Sequence, residues 1–109
     1  MNKGDATLAD LLKRRRVLIH PMIVGEIALG SIKKQKFLID DLNALPQTGV
    51  VAHAEVLAMI GWLKLGGSGV GYVDAHLLAA VRQIGSAKLW TRDKRLHAQA
   101  ERLGVAYAP

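Results

Sequence analysis

KLWTRDKRLHAQAERLGVAY, residues 88–107, shows the clearest alternation of strand and helix patterns in this chain of 109 residues. Lys88 to Thr91 predicts a short strand, and Asp93 to Leu103 repeats its apolar residues at helical spacing. Val105 to Tyr107 is again a short apolar run, which predicts a second strand. Two strands joined through a helix are typical of a parallel sheet. We therefore expect an α/β fold with a short, mostly parallel sheet flanked by helices.

The same alternation continues towards the N-terminus. Val17 to Ile19 predicts a buried parallel strand, and residues 49–51 predict either a short strand or the entry to a loop. Gly66-Gly67-Ser68-Gly69 predicts a flexible turn, because its spacing matches no nucleotide-binding fingerprint. Further helices are predicted over Asp5–Arg15, Pro21–Gly30, Lys34–Leu45, Ala52–Leu65 and Gly71–Ile84. The length fits a single domain, residues 1–109.

The composition excludes several classes of protein. Cysteine is absent, which excludes disulfides, thiol nucleophiles and cysteine-ligated zinc. No apolar run approaches the roughly 18 residues of a membrane span, and the polar start has no signal-peptide core, so we expect a cytoplasmic protein without membrane contact. Fifteen Lys and Arg against nine Asp and Glu give a formal charge of +6. This charge indicates either a polyanionic partner such as a nucleic acid or a solvated basic surface.

Three acidic residues, Glu26, Asp74 and Asp93, lie along the apolar stripes of their predicted helices. This position directs each carboxylate towards the core side, where an ionised group needs a cation, hydrogen-bond donors or a metal. Carboxylate oxygens in a cluster suit Mg²⁺ or Mn²⁺. Each acid also has a purely structural explanation: Asp93 and Asp74 are placed to cap helices, and Glu26 to pair with a basic side chain.

The sequence around these acids resembles the PIN-domain family. Its motifs occur in the family's order as Pro21-Met22-Ile23-Val24-Gly25-Glu26, Gly71-Tyr72-Val73-Asp74-Ala75 and Leu89-Trp90-Thr91-Arg92-Asp93. The stretch Asp74-Ala75-His76-Leu77-Leu78-Ala79-Ala80 looks like VapC-type toxins in particular. The resemblance covers nearly the whole chain, from about Gly4 to Pro109. It implies a PIN-like three-layer fold and a metal-dependent endoribonuclease, usually dimeric, that a cognate antitoxin protein holds inactive.

The resemblance also implies roles for individual residues. Glu26, Asp74 and Asp93 match three of the four main acids of the family's metal site, so we expect them to be catalytic and to bind Mg²⁺ or Mn²⁺. Thr91 matches a hydroxyl that supports the site, and Arg92 and Lys94 are candidates to hold the RNA backbone. In such a site, metal ions held by the carboxylates orient and deprotonate a water for in-line attack on a phosphodiester.

The family's first acid ends an N-terminal strand that has no counterpart in this sequence. Asp5 does not replace it, because Lys3-Gly4 precedes Asp5 where an apolar strand is needed. We therefore expect an N-terminally truncated PIN-like domain. If the open reading frame begins earlier than Met1, roughly 10 to 20 upstream codons should encode the strand and its Asp; if they do not, the chain is a natural fragment. The main alternative function is a catalytically impaired scaffold that binds an antitoxin or dimerises. A basic nucleic-acid-binding module, supported by charge alone, is the third.

The apolar and aromatic side chains carry two further expectations. Ala52 to Leu65 is apolar almost all round, which predicts deep burial or a subunit interface, and we expect a homodimer or an antitoxin contact there. Trp62, Trp90 and Tyr72 are expected in the core rather than as platforms on which bases stack.

Overall fold

A computed structural model describes residues 10, 11, 13, 14, 17–30 and 35–107 of the chain. Its helices in these ranges are α1 (Pro21–Ala28), α2 (Gln35–Asn43), α3 (His53–Trp62), α4 (Tyr72–Ile84) and α5 (Lys94–Arg102). All five lie inside ranges that the sequence predicts as helical. The helix predicted over residues 5–15 lies mostly outside the described residues.

Local signals explain where these helices begin and end. Pro21 occupies the first turn of α1, and the Nδ1 atom of His20 accepts a hydrogen bond from the amide of Met22 at 3.1 Å. Proline is well suited to this position because its missing N–H has no helical partner there. Gly85 ends α4 with a φ of 78°, a left-handed conformation that glycine adopts without steric cost.

The predicted strands are reduced to two isolated parallel bridges. Ile19 pairs with Gln47, and Leu89 pairs with Ala106. The parallel direction agrees with the prediction, but no described residue belongs to a longer strand, so the predicted sheet and its layers are not formed there. Each apolar run is only three or four residues long, and each pairs at a single position. Residues 49–51 form no bridge, which agrees with the loop alternative.

The chain divides into two compact units, one up to Gly49 and one over Val50–Ala108. In the first unit α1 packs against α2. The residues just before α1 and just after α2 are joined by the bridge between Ile19 and Gln47. His20 and Val24 are the residues buried there among those described. The prediction of a single domain stays a prediction.

The second unit contains the main hydrophobic core. Val56 on α3 and Leu78 on α4 are fully buried at its centre, where α3 packs against α4. Each such side chain stabilises the fold by about 1.5–3 kcal/mol relative to exposure. The other core residues are all buried and apolar: Val51, Met59, Leu65, Ala75, Ala79, Val81, Leu89, Leu96 and Ala100.

Two arginines of α5 contact the end of α3 and the loop that follows it. The side chain of Arg95 lies over Gly69, where an added Cβ would come within 2.5 Å of the arginine Cδ. Arg102 donates from Nη2 to the carbonyl oxygen of Leu63 at 2.6 Å, and so caps the end of α3. Since the last carbonyls of a helix lack helical partners, this cation satisfies one of them.

Helix α3 is apolar almost all round, as predicted, but it is not deeply buried. Val56 and Met59 are buried, whereas Leu57 is 50% exposed and Trp62 is 61% exposed. Deep burial of the whole helix was therefore the wrong expectation, and the alternative of a subunit or partner interface stays a prediction. Within the described ranges, no helix has both the length and the apolar character needed to cross a membrane.

Candidate active site

The turn before α5 fixes the position of Asp93. Its Oδ1 atom accepts hydrogen bonds from the amides of Arg95 at 2.9 Å and Leu96 at 3.0 Å. Thr91 holds the other side of the turn, because its Oγ1 accepts a bond from the amide of Asp93 at 3.1 Å. Asp93 is therefore the N-cap of α5, as the structural alternative predicted. Both bonds use Oδ1, so the capping interaction does not occupy Oδ2.

Asp74 lies in the first turn of α4, three residues after the N-cap Gly71. Glycine offers no capping side chain, and an Oδ2 atom of Asp74 lies 3.9 Å from the point where a Cβ on Gly71 would be. The half-buried carboxylate thus lies close to the N-terminal end of the helix, where the helix dipole stabilises negative charge. The structural alternative placed Asp74 as the cap of this helix, but the N-cap residue is Gly71.

Glu26 lies on α1 and is exposed. The expectation that its carboxylate points to the core side is wrong. Val24 is the residue of α1 that is buried, and a side chain two positions further lies about 200° around the helix, on the opposite face. Asp93 is exposed as well, because an N-cap residue turns its side chain back towards the first amides of its own helix.

The three acids fall in both units, Glu26 in the first and Asp74 and Asp93 in the second. Within the described part of either unit, no three His, Asp or Glu side chains form a group that could hold a metal ion. The convergence of the three carboxylates on one divalent ion therefore stays a prediction.

A shallow groove of about 330 Å³ runs from the turn before α5 along most of that helix. It is lined by Thr91, Arg92, Lys94, His97, Ala98 and Glu101. Glu101 pairs with His97 across one helical turn, with 2.7 Å between Oε1 and Nε2. Arg92 and Lys94, the two residues predicted to hold RNA, thus share one groove with Thr91, directly beside Asp93. A cationic groove of this kind can contact a phosphate backbone.

A cluster of aromatic rings at the start of α3 and α4 was missed by the sequence analysis. The Nδ1 atom of His53 is hydrogen-bonded to the hydroxyl of Tyr72, and the Tyr72 ring meets the buried His76 ring at 89° with 4.7 Å between centroids. The expectation that Tyr72 and Trp62 belong to the core is wrong, since they are 42% and 61% exposed. Trp90 is half-buried and stacks on Tyr107.

The whole chain is similar to a known ribonuclease. Ribonuclease VapC32 of Mycobacterium tuberculosis, in two strains, is 46% identical to it over 108 residues. The aligned region covers 99% of this chain and 87% of the relative, so both compact units take part in the similarity. No protein-family model matches the chain, and no solved structure matches it.

Proposed function

This chain belongs to the VapC ribonuclease family, and on that premise we propose that it is a Mg²⁺-dependent endoribonuclease that hydrolyses phosphodiester bonds of RNA. The observation that carries the proposal is the 46% identity to Ribonuclease VapC32 over nearly the full length of the chain. Similarity of this extent includes the segments around Glu26, Asp74 and Asp93. These three acids are the proposed catalytic and metal-binding residues.

The donor set fits the proposed ion. Carboxylate oxygens are the hard ligands that Mg²⁺ prefers, and Mn²⁺ accepts the same ligands. Asp93 holds its own backbone with Oδ1, which leaves Oδ2 for the ion, while Asp74 presents its carboxylate in the first turn of α4. When bound, the ion supplies a Lewis acid that activates water and balances the charge of the phosphate.

Thr91, Arg92 and Lys94 have supporting roles in the proposal. Thr91 fixes the turn through its bond to the Asp93 amide, so the carboxylate of Asp93 keeps one position. Arg92 and Lys94 line the groove along α5 and bind the RNA backbone through its phosphates. The formal charge of +6 favours association with a polyanion in general.

We further propose that the protein is a toxin with a cognate antitoxin protein as its partner, and that it forms a homodimer. The family implies both partners, and the exposed face of α3 supports a contact of this kind. Leu57 and Trp62 place large apolar side chains in solvent, where they favour burial against another protein.

The second candidate is a catalytically impaired member of the family that acts as a binding scaffold. The exposed apolar side chains of α3 favour it, since a scaffold needs a contact surface and no metal. The two functions differ in their need for Mg²⁺.

Cleavage of labelled single-stranded RNA tests the main proposal. We expect internal cleavage in Mg²⁺ that stops when EDTA removes the ion, and that Asp74→Asn abolishes. Glu55→Gln is the matched control, because Glu55 lies in the first turn of α3 as Asp74 lies in the first turn of α4. Equal cleavage in EDTA, or in Asp74→Asn, contradicts the proposed chemistry. An RNA that stays intact under all conditions favours the scaffold.

A further inference from the structure

Tyr72 differs from the other tryptophan and tyrosine residues in the surroundings of its ring. Trp90 and Tyr107 stack flat on each other, with 17° between their planes and 5.1 Å between centroids. The guanidinium of Arg82 lies over the Trp62 ring, 4.8 Å from its centroid. The two rings described beside Tyr72 are instead tilted steeply, by 66° for His53 and 89° for His76.

The Tyr72 ring is held in place although it is 42% exposed. Its hydroxyl is hydrogen-bonded to His53 at the start of α3, and the buried ring of His76 supports it from within α4. A side chain that is already fixed loses little conformational entropy when a ligand binds to it.

The position of this ring links it to the proposed site. Tyr72 is the first residue of α4 and Asp74 is the third, so their Cα atoms are about 3 Å apart along the helix axis, while their side chains leave the helix about 200° apart. Both residues stand at the N-terminal end of α4, so an RNA strand that crosses this end can place one nucleotide near Asp74 and the base of a neighbouring nucleotide on the Tyr72 ring. Exposed aromatic rings bind the unpaired bases of single-stranded RNA by stacking.

We propose that Tyr72, held by His53 and His76, is a base-stacking subsite for a single-stranded RNA nucleotide at or next to the bond that is cleaved. The inference rests on the proposed function, because it takes RNA as the ligand. Stacking accepts any base, so the subsite positions the RNA more than it selects a sequence. Tyr72 is a binding residue in this proposal and has no part in proton transfer.

Binding of a short fluorescent single-stranded RNA, followed by anisotropy in EDTA at low ionic strength, tests the subsite without cleavage. Loss of one stacked base weakens binding by roughly 5- to 150-fold, and we expect this for Tyr72→Ala and Tyr72→Leu. Tyr72→Leu keeps an apolar side chain against His76, so a loss in both variants is not explained by a packing defect. Tyr72→Phe keeps the ring and is expected to stay within about threefold of the wild type.

Two controls separate stacking from other causes. Trp62→Ala removes an aromatic side chain that is more exposed than Tyr72, 61% against 42%, from the C-terminal end of α3, and is expected to leave RNA affinity unchanged. An RNA with abasic sites is expected to bind Tyr72→Ala and the wild type equally, since it has no base to stack. Wild-type affinity in Tyr72→Ala, or an equal loss on abasic RNA, overturns the subsite.

The outcome is separate from that of the cleavage experiment. Wild-type protein that cleaves RNA in Mg²⁺ while Tyr72→Ala binds RNA normally refutes the subsite alone. A base-dependent loss of binding in Tyr72→Ala, with no cleavage by the wild type, supports the subsite and refutes the nuclease proposal. A wild type that binds no RNA in EDTA overturns the subsite.

Discussion

Replacement of Asp93 by asparagine or alanine separates its two roles at the start of α5. Alanine removes both hydrogen bonds that Oδ1 accepts, from the amides of Arg95 at 2.9 Å and Leu96 at 3.0 Å. Loss of an N-cap costs about 1 kcal/mol of folding free energy. For a domain of this size that lowers the Tm by roughly 4–8 °C. Asparagine is as good an N-cap as aspartate, so Asp93→Asn is expected to keep a Tm close to the wild type.

Cleavage responds differently from stability in the same two variants. Asparagine and alanine both remove the negative charge that the proposed Mg²⁺ site needs. Metal ions contribute several kcal/mol to the stabilisation of the transition state, so both variants are expected to lose on the order of 10²-fold or more in cleavage rate. Thermal unfolding by circular dichroism and cleavage of labelled RNA are measured side by side. Asp93→Asn with wild-type cleavage would show that Asp93 is only a cap and would refute the reasoning.

Three further predictions concern Thr91, Gly69 and Leu57. Thr91→Val removes the hydrogen bond to the Asp93 amide, so we expect the free energy of unfolding in chemical denaturant to fall by about 1 kcal/mol and RNA cleavage to slow. Thr91→Ser keeps the hydroxyl and is expected to retain both stability and cleavage, so equal effects of the two variants would contradict this prediction. Gly69→Ala adds a Cβ at a backbone φ of +87° and 2.5 Å from the Cδ of Arg95, which lowers the free energy of unfolding by about 1–3 kcal/mol. The double variant Gly69→Ala/Arg95→Ala should recover part of the lost Tm, and no recovery would place the strain in the backbone alone. Leu57→Asp is expected to convert a dimer into a monomer in analytical ultracentrifugation, and an unchanged assembly would exclude this face as the interface.

The sequence predicts the helices well because their signals are local. Pro21 and Asp93 mark helix starts, and Gly85 marks the end of α4, within a few residues of the turns that they stabilise. The strands depend on partners far along the chain. Residues 17–19 and 88–91 each pair at a single position, and neither run contains a signal for its partner. A parallel arrangement was predicted correctly, whereas the extent of the sheet was not.

The site shows the same division between local and distant information. The cap role of Asp93 was predictable from its place between a strand and a helix. The exposure of Glu26 was not, because α1 has apolar residues on more than one side and only packing determines which face is buried. The bond between His53 and Tyr72 joins residues of two helices, nineteen positions apart, and no local pattern marks it.

Binding of Mn²⁺, measured by electron paramagnetic resonance titration, tests most directly whether three acids form one metal site. The wild type is expected to bind the ion at a single site, and Glu26→Gln, Asp74→Asn and Asp93→Asn are each expected to weaken that binding by roughly tenfold or more, since each removes one carboxylate ligand. Glu55→Gln and Glu101→Gln remove acids outside the proposed site and are expected to leave the affinity unchanged. Unchanged Mn²⁺ affinity in any of the first three variants would contradict the proposed site.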